Sequence, residues 1–390
     1  MDINFHYYAV KAVARKAGFD EAEAQAIASF SQYVDDFTDW VPFFTRNVPE
    51  WARSLATNVG FGYMFHPATT GFNSMATLAR EGNQKWIVAP FHFIPSAPLN
   101  TLLDYKNYRV APAYINVPSL ISNMLEEARL ELAHPAAARP AVLMKIGMLL
   151  HIFADTYSHQ RFSGFWSWVN HSKLTSVIEN DDAGADVDIT ASYSPDDYYK
   201  ITSIGHANVN HAPDDSNVRF SMLQKAAEGD GEETVPYTRS NTADFIDAAE
   251  QIMIFLRNCR GLPPIVEAEW GPFRDRFRLG LLTALKETAA LGGHWHGIFP
   301  EYEFHYEKDT LLQGLAAAIP LEGEARRFSE AHGIEPQLRT ATSDTYFRYN
   351  VIADQIRRMV VGEVHAPGHV EELRAEARAV FGAAAPANSR

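Results

Sequence analysis

Ala141-Val-Leu-Met-Lys145-Ile-Gly-Met-Leu-Leu150-His151-Ile-Phe-Ala-Asp155-Thr-Tyr-Ser-His159 is an apolar run interrupted by three metal-type side chains at every fourth position. Residues four apart on an α-helix lie one turn above each other, so this spacing places both imidazoles and the carboxylate on one helix face. Imidazole and carboxylate are donors suited to zinc, and the H-E-x-x-H helix of metalloproteases uses the same one-turn spacing. Here no glutamate follows the first His, and the acidic residue stands in line with the imidazoles, where it can bridge two metals. The competing explanation is a buried helix whose polar residues only bond their neighbours. Burying three such groups unpaired costs several kcal/mol, which weighs against it.

Outward from this helix, the composition sets limits. The chain has 390 residues, 46% of them apolar, enough for one large domain or two with real cores. A formal charge of −14 argues against long nucleic acid as a partner, because phosphate backbones need a basic surface. Small phosphate esters held by metal ions remain compatible with an acidic chain. Cys259 is the only cysteine, so His and Asp must supply any metal ligands. The first residues carry no basic-then-apolar signal, and the apolar stretch from Ala141 to Phe153 is shorter than a bilayer span. These features predict no transmembrane segment and a cytoplasmic protein, although export without a cleaved signal would leave the same sequence.

Helical periodicity dominates and strand-like alternation is scarce, which predicts an all-α multi-helix bundle with long ordered loops. Phe5 to Lys16 reads as a short helix, and Asp20 caps a second that runs to Asp35 and Asp36. Val48 to Leu103 is rich in Gly, Pro, Asn and aromatics and reads as site-lining loop, with a strand at Trp86 to Ala89. Pro118 and Pro140 open helices, and Asn180 to Asp188 reads as an acidic loop. Further amphipathic helices are expected over Thr238 to Arg260, Arg274 to Ala290, Thr310 to Ala318, Glu322 to His332 and Ser343 to Val361. The expected organisation is a metal-binding helical core over 1–230, a helical region over 231–375 packed on it, and a flexible tail over 376–390.

One metal needs three or four ligands and two metals need about six, so the helix triplet requires help. His6 is one candidate, near Asp2 and the amino group. Asp35 and Asp36 are adjacent on a helix and point about 100° apart, so one of them faces a site, and Asp36 is the favoured one. His66 in Met64-Phe-His-Pro67 and His92 in Pro90-Phe-His-Phe-Ile-Pro95 sit in stiff aromatic loops, each as readily a core histidine as a ligand. Gly205-His206 and Asp214 follow, His206 being favoured over His211 because Gly205 permits close backbone approach. His294, His296 and the remaining histidines rank lower. Phe91, Phe93 and Trp166 are candidates for holding an apolar part of a substrate, with burial in the core as the plainer role.

The H-x-x-x-D-x-x-x-H run from His151 to His159 resembles the motif of the zinc-dependent phospholipase C and glycosylphosphatidylinositol phospholipase D group, distantly akin to S1/P1 nucleases. The ordered set Phe5-His6-Tyr-Tyr8, Ser31 to Asp36, Pro90 to Pro95, the triplet with Gln160 to Gly164, and Gly205-His206 is similar to a bacterial family of unknown function related to that group. The resemblance implies an all-helical fold and a cluster of two or three zinc ions. It further implies ligands at His6, Asp36, and His66 or His92, a shared site at His151 and Asp155, and a neighbouring metal held by His159, His206 and Asp214. The secreted phospholipases begin their mature chain with Trp, whereas Met stands first here, and after His206 the residues His211 and Asp214 are offset from that group's second H-x-x-x-D/E pair. The expected function is zinc-dependent hydrolysis of a small phosphate ester or phospholipid, with Asp35 or Asp36 as proton acceptor. The alternative is a non-catalytic protein in which a closed metal site stabilises the fold or an interaction surface.

Overall fold

The computed structural model describes residues 1–39, 42–60, 62–72, 78, 80–135, 138–180, 185–193, 203–229, 231, 233–282, 288–308, 323–332 and 344–363. In chain order, a π-helical turn Asn4–Ala9 runs into α1 (Val10–Lys16), followed by α2 (Glu21–Asp36), β1 (Phe43–Thr45), β2 (Ala56–Asn58) and β3 (Tyr63–Phe65). Short helical segments Glu81–Asn83, Gln84–Val88 and Ala89–Phe91 precede α3 (Leu120–Ala133) and α4 (Arg139–Ser158). Next come β4 (Ser172–Asn180), β5 (Asp186–Asp188), β6 (Val218–Lys225) and β7 (Thr234–Ser240). The helices α5 (Asn241–Cys259), α6 (Glu267–Leu281), α7 (Thr288–Ile298), α8 (Gly323–His332) and α9 (Asp344–Val361) complete the order. The expected helix Thr310 to Ala318 and the tail 376–390 lie outside the described residues.

The all-α expectation is overturned. Two antiparallel sheets are present, one in the order β1-β3-β2 and one in the order β5-β4-β6-β7, so the protein mixes helix and strand. The physical reason is visible in β6, where Val218, Phe220 and Met222 point to the core and alternate with more exposed Arg219, Ser221 and Leu223, a period of two. β7 carries Pro236 at the sheet edge, where the missing donor costs nothing to a further strand. Of the acidic stretch read as a loop, Asn180 and Asp186–Asp188 are strand residues of this sheet, with Asn180 paired to Asp186. The strand expected at Trp86 to Ala89 is also corrected. Its apolar run is helical, with Trp86 and Val88 buried, because a short continuous apolar run does not distinguish a buried helix from a strand.

The chain forms two compact units. The first comprises Met1–Asp35, Asn73–Tyr306 and Val360–Gly362; the second comprises Asp36–Phe72, Glu307–Met359 and Glu363–Arg390. In the first, α4 is buried from Ile146 to Ser158 on every face and packs against α3 and α5, as a helix that is apolar all round must. Asp20 and Glu23 exchange backbone-to-carboxylate bonds of 2.8 and 3.3 Å at the start of α2, a capping box that fixes where this helix begins. Gly147 lets α2 approach α4 closely: a methyl group there would overlap the Ile27 carbonyl and come within 2.9 Å of Phe30 Cβ. We therefore expect Gly147→Ala to destabilise the protein by about 1–3 kcal/mol in urea unfolding. Gly293→Ala in α7, where an added methyl meets nothing within 4 Å, should instead be neutral or slightly stabilising.

On its inner face the four-stranded sheet shares an apolar cluster with Phe93, Val110, Phe162, Ile204 and Val209. The segments that carry His92, His159 and His206 are thus seated on the sheet. In the second unit, aromatic packing dominates, with Phe65 against Phe347 at 5.0 Å and Phe37 against Tyr349 at 4.9 Å. Among the described residues no helix is long and apolar enough to cross a membrane.

Candidate metal centre

The face of α4 predicted from its spacing is the hub of a buried polar cluster in the first unit. His151 is fully buried and Asp155 is 1% exposed. Asp155 Oδ1 lies 3.1 Å from His6 Nε2, while Oδ2 lies 3.2 Å from His92 Nδ1 and 3.3 Å from His151 Nε2. Asp35 Oδ1 stands 3.6 Å from His151 Nε2 and 3.8 Å from His92 Nδ1. Three groups of potential ligands result: His6 with His151 and Asp155, Asp35 with His92 and His151, and His159 with His206 and Asp214.

Local backbone shape explains how residues so far apart in sequence converge. His6 lies in the π-helical turn Asn4–Ala9, and His92 caps the helical turn Ala89–Phe91 that continues the π-helical segment Gln84–Val88, with its N–H bonded to Val88 O. Such widened turns recur at functional sites because they displace a side chain from the regular helical phase. His159 is the C-cap of α4 and keeps a bond to Asp155 O, which holds the third member of the triplet in line. Gly205 has φ +53, and a Cβ there would come within 2.6 Å of the Phe93 ring. That ring stacks on His159 at 4.3 Å, so the glycine allows His206 to reach the same place.

The third group carries the clearest chemical signature. His159 donates from Nδ1 to His92 O at 2.5 Å, and His206 donates from Nδ1 to Asn210 O at 2.7 Å. These carbonyls occupy each Nδ1 and turn each Nε2 toward Asp214, His159 to Oδ1 at 3.0 Å and His206 to Oδ2 at 3.1 Å. As an imidazolium each ring donates from Nε2 to the carboxylate; deprotonated there, its lone pair and the carboxylate together suit a shared cation. A backbone carbonyl on the far nitrogen is also the usual support of a metal-ligating His.

The first two groups show the same crowding. His92 Nδ1 and His151 Nε2 are 3.4 Å apart beside two carboxylates, and the His6 and His151 rings stack at 3.8 Å. Among the described residues, His6 Nδ1 and His151 Nδ1 have no hydrogen-bond partner. The donor set of imidazole nitrogens and carboxylate oxygens therefore fits a cluster of zinc-type ions. The amino group of Met1 also enters, 2.6 Å from Asp155 Oδ1 and 3.3 Å from Asp214 Oδ1. Burial would lower its pKa, but Asp155, Asp214 and Asp35 outweigh that and raise it to about 11.

The electrostatics follow from burial and these neighbours. Burial alone would raise the carboxyl of Asp155, yet His159, the Met1 ammonium, His151 and His6 hold it well below the usual range. Asp214 is likewise held well below that range, burial being overcome by His206, the Met1 ammonium and His159. Burial and then the charge of His151 push His6 well down. Burial raises Asp35, the most open carboxylate of the cluster at 33% side-chain exposure. Beside the cluster, burial and Asp215 push the carboxyl of Asp2 up to about 7.

Of the residues singled out from the sequence, His6, Asp35, His92, His151, Asp155, His159, His206 and Asp214 are brought together. Asp36 is not. It belongs to the second unit and pairs with Lys308 at 3.2 Å, because the 100° step along α2 turns it away from Asp35. His66 also belongs to the second unit, with Nε2 3.3 Å from Thr57 Oγ1. Phe91 is fully buried and Phe93 lies against His159, whereas Trp166 is 56% exposed. Ser158, whose Oγ accepts from the Met1 amine at 3.1 Å, and the carbonyls of His92 and Asn210 had no signal in spacing or composition.

A mixed helix-and-sheet protein with a buried, multi-group His/Asp centre is the class that fold and site define. The chain belongs to a family of unknown function, DUF6765, whose model matches residues 1–364. Comparison with curated proteins and with solved structures found no match.

Proposed function

We propose that this protein is a zinc-dependent hydrolase of phosphoric esters built on a multinuclear His/Asp centre of two or three ions. The observation that carries the reading is that His151 is common to two ligand groups, while Asp155 turns one oxygen to His6 and the other to His92 and His151. A carboxylate whose two oxygens face different imidazoles could be shared by neighbouring ions, and a pair of ions would supply stabilisation of both the attacking and leaving oxygens of a phosphoryl group. The ordered His and Asp positions also resemble those of the zinc-dependent phospholipase C and S1/P1 nuclease group.

In this reading His6, His92, His151 and Asp155 hold the inner ions, and His159, His206 and Asp214 hold the outer one. Bound zinc supplies Lewis-acid polarisation of a phosphoryl oxygen and a water of near-neutral pKa. Asp35 is placed to accept that water's proton, since it is the open carboxylate of the group and its pKa is raised by burial. Trp166 offers an exposed ring for an apolar part of the substrate. The net charge of −14 favours small phosphodiesters or phospholipid over long nucleic acid.

The near-complete burial of His6, His151 and Asp155 supports a second reading, a closed metal site that only stabilises the fold. Metal content by mass spectrometry on untagged protein, followed by hydrolysis of bis(p-nitrophenyl) phosphate and phosphatidylcholine vesicles, separates the two. Two or more zinc per chain with turnover that stops on chelation and returns with zinc is the expected result. Tightly held zinc without turnover of any phosphoric ester favours the closed site. Protein that takes up no divalent metal defeats both readings.

A further inference from the structure

Asp214, the carboxylate between His159 and His206, stands on an irregular turn and not on a helix. What holds that turn is a pair of buried side chains at the junction of β7 and α5. Arg239 donates from Nη2 to Pro213 O at 2.7 Å and from Nη1 to Tyr157 O at 2.6 Å. Its Nε donates to Asn241 Oδ1 at 2.8 Å, and Asn241 Nδ2 donates in turn to Ala212 O at 2.6 Å and Asp215 O at 2.8 Å. Three consecutive-turn carbonyls around Asp214, plus the end of the helix that presents His159, are thus tied to one hairpin.

We propose that Arg239 and Asn241 are positioning residues that set the His159, His206 and Asp214 group, so that metal loading of this group depends on the β6–β7 hairpin. The inference rests on the reading of the cluster as a metal centre. Arg239 is 7% exposed and lies over the Phe220 ring at 5.1 Å, so its guanidinium is locked by the sheet. A buried cation beside a cation site opposes metal binding electrostatically. Its contribution to loading must therefore be geometric: the planar fork reaches two carbonyls from different segments at once, which a flexible ammonium does not. Ligand geometry within about half an ångström is what such supporting groups maintain.

This account makes a prediction with a sign. Zinc and cobalt(II) titrations of the full chain, read by metal stoichiometry and the cobalt electronic spectrum, should show that Arg239→Gln weakens one equivalent by about 10–100-fold and leaves the others unchanged. His206→Ala identifies the affected equivalent, and adding Arg239→Gln to it should cause no further loss. Arg239→Lys should recover part of the affinity. Should Arg239→Gln not fold, Asn241→Ala removes two of the turn's bonds while keeping the guanidinium, and the same selective loss is expected. A folded variant with unchanged or tighter binding of all equivalents overturns the proposal, as does equal weakening of every equivalent. Wild-type protein that binds no metal overturns the metal-centre reading itself, and this inference with it.

Discussion

On the zinc-hydrolase reading proposed above, replacing Asp155 with Asn will strip at least one metal from the chain and lower phosphodiester turnover by on the order of 10³ or more. The size follows from the position. Asp155 Oδ1 serves His6 and the Met1 amine at 3.1 and 2.6 Å, and Oδ2 serves His92 and His151 at 3.2 and 3.3 Å. Asn preserves the volume but removes the charge, and it introduces an N–H₂ among imidazole lone pairs. The group of His6 and His151 loses its carboxylate, and His92 loses its nearest one. Asp36→Asn is the matching control, because Asp36 pairs with Lys308 in the second unit and should change neither metal content nor turnover. Asp35→Asn should reduce turnover more than metal content if its open carboxylate acts chiefly on the proton. Asp155→Asn protein with a full metal complement would remove the bridging carboxylate from the mechanism.

The helix that bears Asp155 was readable in the sequence because its evidence is local: three polar residues at a four-residue step in an apolar run have one geometric consequence. Asp35 and Asp36 were not separable in the same way. Their orientation depends on the phase of α2 against α4, which the close contact at Gly147 fixes and no local pattern reports. His66 and His92 sit in nearly identical aromatic and Pro frames, and only tertiary placement brings His92 to Asp155. The four-stranded sheet was missed because its strands are rich in Ser, Thr, Lys and Gln, which dilutes the alternation, although β6 still shows the period of two. Arg239 and Asn241 act through backbone carbonyls of a turn, and a carbonyl acceptor leaves no trace in residue identity.

On the same reading, chelation will lower the melting temperature by roughly 10 °C at pH 8 and by clearly less at pH 5.5. Two ions, each present at about a thousand times its dissociation constant, stabilise the folded state by about 8 kcal/mol together, and a chain of 390 residues shifts by roughly 1.2 °C per kcal/mol. The pH dependence comes from the imidazoles, since ligands must be unprotonated to bind metal and an ordinary histidine titrates near about 6.5. Asp155 and Asp214 are held well below the usual range, so their contribution is present above about 3.8 and is lost only far below pH 5.5. In the chelated protein the two outer histidines work in opposite directions. Burial would lower His206, but Asp214 raises it, so its contribution is full below about 6.5 and fades as the pH rises through the raised value. His159 is lowered by burial, and its contribution is present above about 6.5 and fades as the pH falls through the lowered value. His6, pushed well down by burial and His151, works in the same direction as His159, so the chelator effect is read at each pH against the metal-free protein at that pH, and the loaded protein's margin narrows with acid as protons compete for the same lone pairs. Equal chelator effects at both pH values would place the stabilising ion on carboxylates alone, and no effect at either would mean that no metal supports this fold.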